Sequence, residues 1–245
     1  MSAKRAAIVL AAGKGKRMKS DIPKVLHELD GRPLIRIVLD TLAQARLDRT
    51  VVVVGFKGEM VQETLTDYPV EFAWQHQQLG TGHAVQVAEE IMGDFEGTTL
   101  VALGDMPLLT IESIRRLFEV HEHTGAAATC LSAVLEDPTG YGRVVREGDG
   151  DMLAEIVEHK DASDEILKIK EVNTGLFCFD HRKLFEALAE VRNDNSQAEY
   201  YLPDTIKIMR RKGLPVAVVT AQDPSEGFGV NSVQQLEQLK RQSVE

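Results

Sequence analysis

Ala6-Ala7-Ile8-Val9-Leu10-Ala11-Ala12-Gly13-Lys14-Gly15-Lys16-Arg17-Met18, with Pro23-Lys24 shortly after, is the stretch from which the fold can be read. Residues 6–10 are an uninterrupted apolar run, too short for a buried helix and stopped by a glycine-bearing loop, so they read as a buried strand. The small residues of the loop let the backbone come close to a ligand, and its glycines permit positive φ. Successive loop amides can face phosphate oxygens. Arg17 and Lys24 add full charges. A basic turn alone implies little. At the carboxyl end of a first strand it sits where open α/β sheets bind ligands, and the reading becomes phosphate binding.

Two better-known phosphate loops do not fit. A P-loop needs four residues between its glycines and a Gly-Lys-Ser/Thr ending. A dinucleotide fingerprint needs a third glycine where Met18 stands, and an acid at the end of the second strand, where Gly55-Phe56 follows Val54. A dehydrogenase is therefore a poor reading.

Outward from the loop, strand and helix alternate. Strands are expected over 51–54, 70–74 and 99–103, and helices over 34–45, 81–92 and from Ile111 through Phe118. This alternation predicts βαβ units and an α/β fold: a Rossmann-like, doubly wound, mostly parallel sheet. The second half is less regular. Strands are expected over 126–135, 141–146, 153–157, 172–179 and 215–220, and helices over 184–191, 203–212 and 233–240. The acidic run Glu147-Gly148-Asp149-Gly150-Asp151 reads as a turn between two of those strands. With no internal repeat and no glycine-rich linker, the chain reads as one domain with an inserted small lobe.

The composition sets further bounds. The 245 residues are 43% apolar and 27% charged, as in a globular protein. No apolar run approaches the ~20 residues of a membrane span. Nothing at the N-terminus has the form of a signal peptide, so the cytoplasm is expected. Cys130 and Cys178, in apolar strands away from any metal-type spacing, read as buried free thiols. The net charge of −10 argues against nucleic acid as a partner. Residues 1–27, however, hold seven basic groups against one acid, Asp21. A local basic segment on an acidic chain suits a small polyanion.

Two more polar stretches carry chemistry. Gln75-His76-Gln77-Gln78-Leu79-Gly80-Thr81-Gly82-His83 closes a strand and opens a helix. Gln75 and Gln78 each present a donor and an acceptor, which suits the imide edge of uracil. Thr81 is placed to cap the helix, and His83 within it reads as structural. Leu103-Gly104-Asp105-Met106-Pro107 ends another strand in a carboxylate. Thr110 already serves as cap for the next helix, leaving Asp105 free to hold Mg²⁺ with water and phosphate. Pro138-Thr139-Gly140-Tyr141-Gly142, Glu158 and Asn173 are weaker sites, each with a plain structural account as turn or exposed acid.

Together these stretches resemble the nucleotide-sugar pyrophosphorylases, and among them the N-terminal uridyltransferase domain of the bacterial bifunctional uridyltransferase/acetyltransferases. The resemblance is carried by residues 10–18, 23–27, 78–84, 137–143, 156–162, 173–175, 199–201 and 229–231. It implies the nucleotide-diphospho-sugar transferase type of fold with a small sugar-binding lobe. It implies transfer of uridylyl from UTP to N-acetylglucosamine 1-phosphate, giving UDP-N-acetylglucosamine and pyrophosphate for cell-envelope precursors. By the resemblance Leu10, Ala11, Ala12, Gly13, Gln75, Gln78, Gly80 and Thr81 hold the nucleotide, with Leu103 and Gly104 beside them. Arg17 and Lys24 meet the phosphates as catalytic groups, and Asp105 and Asn231 bind Mg²⁺. Gly142, Glu158, Asn173 and Tyr201 line the sugar pocket. Asn231 is identified by resemblance alone, since Asn231 or Ser232 would also serve as cap of the last helix.

Two features depart from the family pattern. Pro203 stands where threonine is usual, and no left-handed β-helix repeat follows. Residues 1–231 are thus expected as the transferase domain and 232–245 as a helix like the start of a linker. A monomer or weak oligomer is expected, without membrane association. A uridylyl- or thymidylyltransferase for glucose 1-phosphate is the same-fold alternative. A catalytically inactive nucleotide sensor is the alternative of another class, and intact Arg17, Lys24, Asp105 and Asn231 argue against it.

Overall fold

The computed structural model describes residues 4–148 and 150–242; the side chains of Lys16 and Gln242 lie outside the described residues. So does Asp149, in the acidic turn expected between two strands. The chain opens with β1 (Arg5–Ala11), the hairpin β2 (Glu28–Leu29) and β3 (Arg32–Pro33), α1 (Leu34–Ala43), β4 (Arg49–Val54), α2 (Gly58–Thr64) and β5 (Glu71–Trp74). Then come α3 (Thr81–Gln86), α4 (Glu89–Met92), β6 (Thr98–Leu103) and α5 (Ile111–Thr124). The second half runs β7 (Ala128–Val134), β8 (Arg143–Arg146), β9 (Leu153–Val157), α6 (Asp164–Leu167) and β10 (Glu171–Asp180). It ends with α7 (His181–Leu188), α8 (Asp204–Arg211), β11 (Val216–Thr220) and α9 (Val233–Gln242).

The main sheet has the order β11-β7-β10-β6-β1-β4-β5, with β8 and β9 branching from β10. β1 pairs in parallel with both β4 and β6, β5 continues the parallel set beyond β4, and β11 is parallel to β7. β10 runs antiparallel between β6 and β7. From β1 the chain builds outward through β4 to β5, then crosses back to place β6 on the other side of β1. A crevice opens at such a reversal of strand order, beyond the carboxyl ends of the strands.

The period-two alternation of β1 feeds two cores. Ala6 and Ile8 join the layer under α3, α7 and α8. Ala7, Val9 and Ala11 join the layer under α1 and α5. This two-sided burial is why the strand is apolar throughout. A smaller cluster seats α9: Leu236 is buried with Met18, Leu29, Leu34 and Val230. Among the described residues no helix is long and apolar enough to cross a membrane. Both cysteines are buried and unpaired, and burial pushes both thiols up.

In the first half, three features differ from expectation. The helix expected over 81–92 is two helices, because at the junction Ala88 N bonds to Val85 O, three residues back, before the four-residue pattern resumes at Met92. The seven-residue α2 is too short for a visible period; Lys57, at φ 48, turns the chain into it. The β2–β3 hairpin turns on Asp30-Gly31, both at positive φ, an Asp-Gly signal present in the sequence.

Candidate active site

The crevice beyond β1 and β6 is a cleft of about 350 Å³. It brings together Leu10, Ala11, Ala12, Gly13, Lys24, Gln75, Gln78, Gly80, Thr81, Leu103, Asp105 and Asn231. Val25, Ala84 and Glu199 complete the lining.

Gly15 rather than Gly13 has the conformation the loop requires. Its φ is 62°, and a Cβ there would stand 2.7 Å from Cβ of Lys24. The loop therefore folds down on the Lys24 stem. Gly13 has nothing within 4 Å of a Cβ position and faces open cleft. Lys24 Nζ forms an ion pair with Asp105 and donates to Asn231 Oδ1 at 3.0 Å. Arg17 is exposed and outside the cleft lining. Its charge nonetheless acts on Tyr141, whose hydroxyl burial pushes up, Asp105 pushing it further and Arg17 opposing.

The glutamine loop is built around Gly80, at φ 115. Gln75 is buried, and its amide NH₂ donates to Gly80 O at 3.0 Å and contacts His83 Nδ1 at 3.0 Å. What Gln75 offers a base is thus its carbonyl oxygen. His83 holds that amide. Gln78 is exposed and donates to Gln75 O. Thr81 does not cap α3: Gly80 is the N-cap, without a side-chain bond. Thr81 Oγ1 instead accepts from Leu202 N at 3.0 Å, because the segment after Glu199 crosses the loop there. Gly82 N donates to Tyr200 O and Tyr200 N to Leu79 O.

The capping question at Asp105 and Asn231 has a clear geometric answer. Thr110 Oγ1 accepts from Ser113 N and caps α5. Ser232 Oγ accepts from Gln235 N at the start of α9. Asn231 is therefore free to direct Oδ1 at Lys24 while its Nδ2 donates to Gly229 O. Asp105 is buried, and its backbone carbonyl accepts from Val230 N at 2.9 Å, so the two loops are joined directly. Gly104 is packing: its N donates to Leu10 O, and a Cβ would press on that same carbonyl at 3.2 Å.

The residues expected to line a sugar pocket form a second group, outside the cleft lining but continuous with it. A Cβ on Gly142 would meet Glu158 Oε1 at 3.3 Å, and Gly142 O accepts from Asn173 N. Asn173 Oδ1 accepts from Gly175 N within a bulge of β10, and Gly175 lies against the Leu103 side chain. Tyr201 is buried, and its hydroxyl accepts from Gln197 Nε2. The Glu158 carboxyl is pushed above the ordinary range, first by burial and then by Asp161, Asp204 and Glu199. Glu199, which lines the cleft, carries no local signal: its place depends on Asn195, whose Oδ1 accepts from Glu199 N and whose amide donates to Glu199 O.

The sequence model of the MobA-like NTP transferase domain matches residues 7–202. The chain belongs to this family. Its curated relatives include the bifunctional protein GlmU of Shouchella clausii (strain KSM-K16), 51% identical over 227 residues, which are 93% of this chain and 50% of that one. The bifunctional protein GlmU of Exiguobacterium sibiricum is 52% identical over 225 residues, 92% of this chain and 50% of that one. The chain spans about half the length of the curated relatives it matches. A UDP-glucose pyrophosphorylase solved with UDP-glucose superposes with a TM-score of 0.77 at 17% identity, over 98% of both chains. That likeness shows the fold, and the α/β reading of the motifs is borne out, as is the resemblance to the bifunctional enzymes' N-terminal half.

Nucleotidyltransferases of the MobA-like family generally use a divalent metal. Among the described residues no three His, Cys, Asp or Glu side chains are grouped to hold one. Asp105 and Asn231 do present hard oxygen donors to a single cation, the Lys24 ammonium. A pair of oxygens completed by phosphate and water is an ordinary donor set for Mg²⁺. The residues fit the group.

Proposed function

We propose that the chain transfers uridylyl from UTP to N-acetylglucosamine 1-phosphate, releasing UDP-N-acetylglucosamine and pyrophosphate, in the cytoplasm. The observation that carries this reading is one cleft with Lys24, Asp105 and Asn231 at one part of its wall and Gln75, Gln78 and Gly80 at another. The half-length match to the bifunctional relatives supports the choice of sugar.

In this reading Leu10 to Gly13 carry the nucleotide along the end of β1, and the Gln75 carbonyl accepts from the uracil imide. Leu103 lies between the nucleotide and Gly175 of the sugar lobe. Gly142, Glu158, Asn173 and Tyr201 receive the sugar. Arg17 and Lys24 neutralise the phosphates, Lys24 leaving its present partners as the ligand arrives. Asp105 and Asn231 would hold Mg²⁺, which would supply charge neutralisation to the triphosphate. The sugar phosphate is largely a dianion at neutral pH, with its second pKa at about 6, and needs no general base. Its oxygen attacks the α-phosphorus in line, that bond forms as the bond to pyrophosphate breaks, and the protein's work is positioning and electrostatics.

A pyrophosphate-release assay over UTP, dTTP, ATP and GTP, each with N-acetylglucosamine 1-phosphate and glucose 1-phosphate, tests the reading. UTP with the acetylated sugar is expected to lead. Equal use of GTP, or preference for glucose 1-phosphate, would overturn the base or the sugar assignment respectively.

A further inference from the structure

Glu226 is a buried acid that the chemistry above does not use. It lies in the 3₁₀ turn Pro224–Gly227, five positions before Asn231. Its Oε2 accepts from Thr110 N at 3.1 Å and from Thr110 Oγ1 at 2.7 Å, and its Oε1 accepts from Ser113 Oγ at 2.9 Å. Thr110 lies five positions after Asp105. The two loops are thus bonded at Glu226–Thr110, bonded again at Val230–Asp105, and brought together a third time where Asp105 and Asn231 meet Lys24.

Capping does not explain Glu226. Thr110 already satisfies Ser113 N at the start of α5. A second acceptor from 116 positions away adds a tether between two chain segments. The turn is also wedged from behind, since a Cβ on Gly227 would stand 3.0 Å from Ala133 of β7. Only Gly227, Phe228, Gly229 and Val230 separate the tether from Asn231, and two of those four are glycines, which impose little direction of their own. The Asn231 amide donates to Gly229 O, and the segment that carries both residues is held at Glu226 and at Val230.

We infer that Glu226 is a positioning residue for the metal-binding pair, fixing the Asn231 loop against the Asp105 loop through Thr110 and Ser113. The inference rests on the assignment of Asp105 and Asn231 to the metal. Residues that orient metal ligands typically contribute about 10–100-fold to affinity. Glu226→Gln can keep the tether, its carbonyl facing Thr110 and its NH₂ facing the Ser113 hydroxyl, whereas Glu226→Ala cannot.

The test is Mn²⁺ binding to the UTP-saturated protein, followed by the electron paramagnetic resonance of free Mn²⁺. Wild type, Glu226→Ala, Glu226→Gln, Asn231→Ala and the Glu226→Ala/Asn231→Ala double variant are compared. Glu226→Ala and Asn231→Ala are each expected to weaken Mn²⁺ by about 10-fold, with Glu226→Gln close to wild type. The double variant is expected to be no weaker than Asn231→Ala alone, because Glu226 acts through Asn231. If Glu226→Ala does not fold, Glu226→Asp, which keeps the charge but shortens the arm, carries the same comparison. A lowered melting temperature with unchanged Mn²⁺ affinity overturns the inference, as do losses that multiply in the double variant. If Asn231→Ala itself leaves Mn²⁺ affinity unchanged, the metal assignment fails first.

Discussion

The Asp105 carboxylate is buried and paired with the Lys24 ammonium, whose side chain is only 19% exposed. The pair keeps both charges compensated. Asp105→Asn should therefore lose turnover and also stability. Removing a hydrogen bond between charged groups costs about 2 kcal/mol, or roughly 5 °C in a domain of this size by calorimetry. Arg17 is exposed and lies outside the cleft lining. Arg17→Ala should leave the melting temperature alone and lower kcat by roughly 10²–10³, as for loss of one well-placed charge on a transferring phosphate. A variant with near-normal kinetics would remove Arg17 from the reaction. In the proposed function Gln75 would carry base choice through one oxygen, its NH₂ being engaged by Gly80 and His83. Gln75→Ala should reduce the preference of kcat/KM for UTP over other nucleotides by about 3–10-fold, the worth of one hydrogen bond.

At the scale of elements, the strand-to-loop junctions hold the site, and they differ in how far the sequence reveals them. The end of β1 is legible because both causes are local: apolar residues buried on two faces, then small and basic residues at the carboxyl end. The cap at Thr110 is legible for the same reason. The antiparallel course of β10 is not, because a strand buried on both faces is apolar whichever way it runs, and its neighbours are fixed by distant crossovers. Thr81 is not the cap its position suggests, because the backbone that bonds its hydroxyl, at Leu202, is 121 positions away. Glu226 is a single acid with no pattern around it, and only tertiary partners give it a role; Glu199 lies in a stretch that carries the resemblance, but its place in the cleft depends on Asn195. Asn231 is legible through family resemblance alone. The Gly80 junction gives a prediction at this scale. A Cβ there would stand 2.5 Å from Tyr200 O and 2.8 Å from Tyr200 N, at φ 115. Gly80→Ala should push the glutamine loop off the Glu199–Leu202 segment, destabilising by more than about 1 kcal/mol because φ and space both resist the methyl. Chemical denaturation would measure it, and an unchanged midpoint would mean the loop yields freely.

Over the whole molecule the charge is unevenly divided. The loop after β1 is basic within a chain of net charge −10, while Asp161, Asp204 and Glu199 act on Glu158, and Asp161 acts on Asp204 as well. A neutral sugar ring offers hydroxyl donors, for which carboxylates are good acceptors, yet the phosphate beside it is repelled by them. In the proposed reading these acids would accept from the sugar hydroxyls, at some cost in stability. The sign of that cost can be worked out. Glu158 is pushed above its unfolded value by burial first and by the neighbouring acids second. The folded protein therefore holds this proton to higher pH than the unfolded chain does. Its contribution to stability is full below the ordinary carboxylate range and is lost as pH rises through the raised value. Above the raised value the native protein carries a charge that its surroundings disfavour. Glu158→Gln removes that charge while keeping shape and hydrogen-bonding capacity. It should melt above wild type at about pH 7, and the difference should vanish near pH 4, around the unperturbed carboxylate pKa. Turnover should fall with a raised KM for the sugar phosphate and little change in that for UTP. Equal melting temperatures at neutral pH would show that water, rather than the neighbouring acids, governs Glu158.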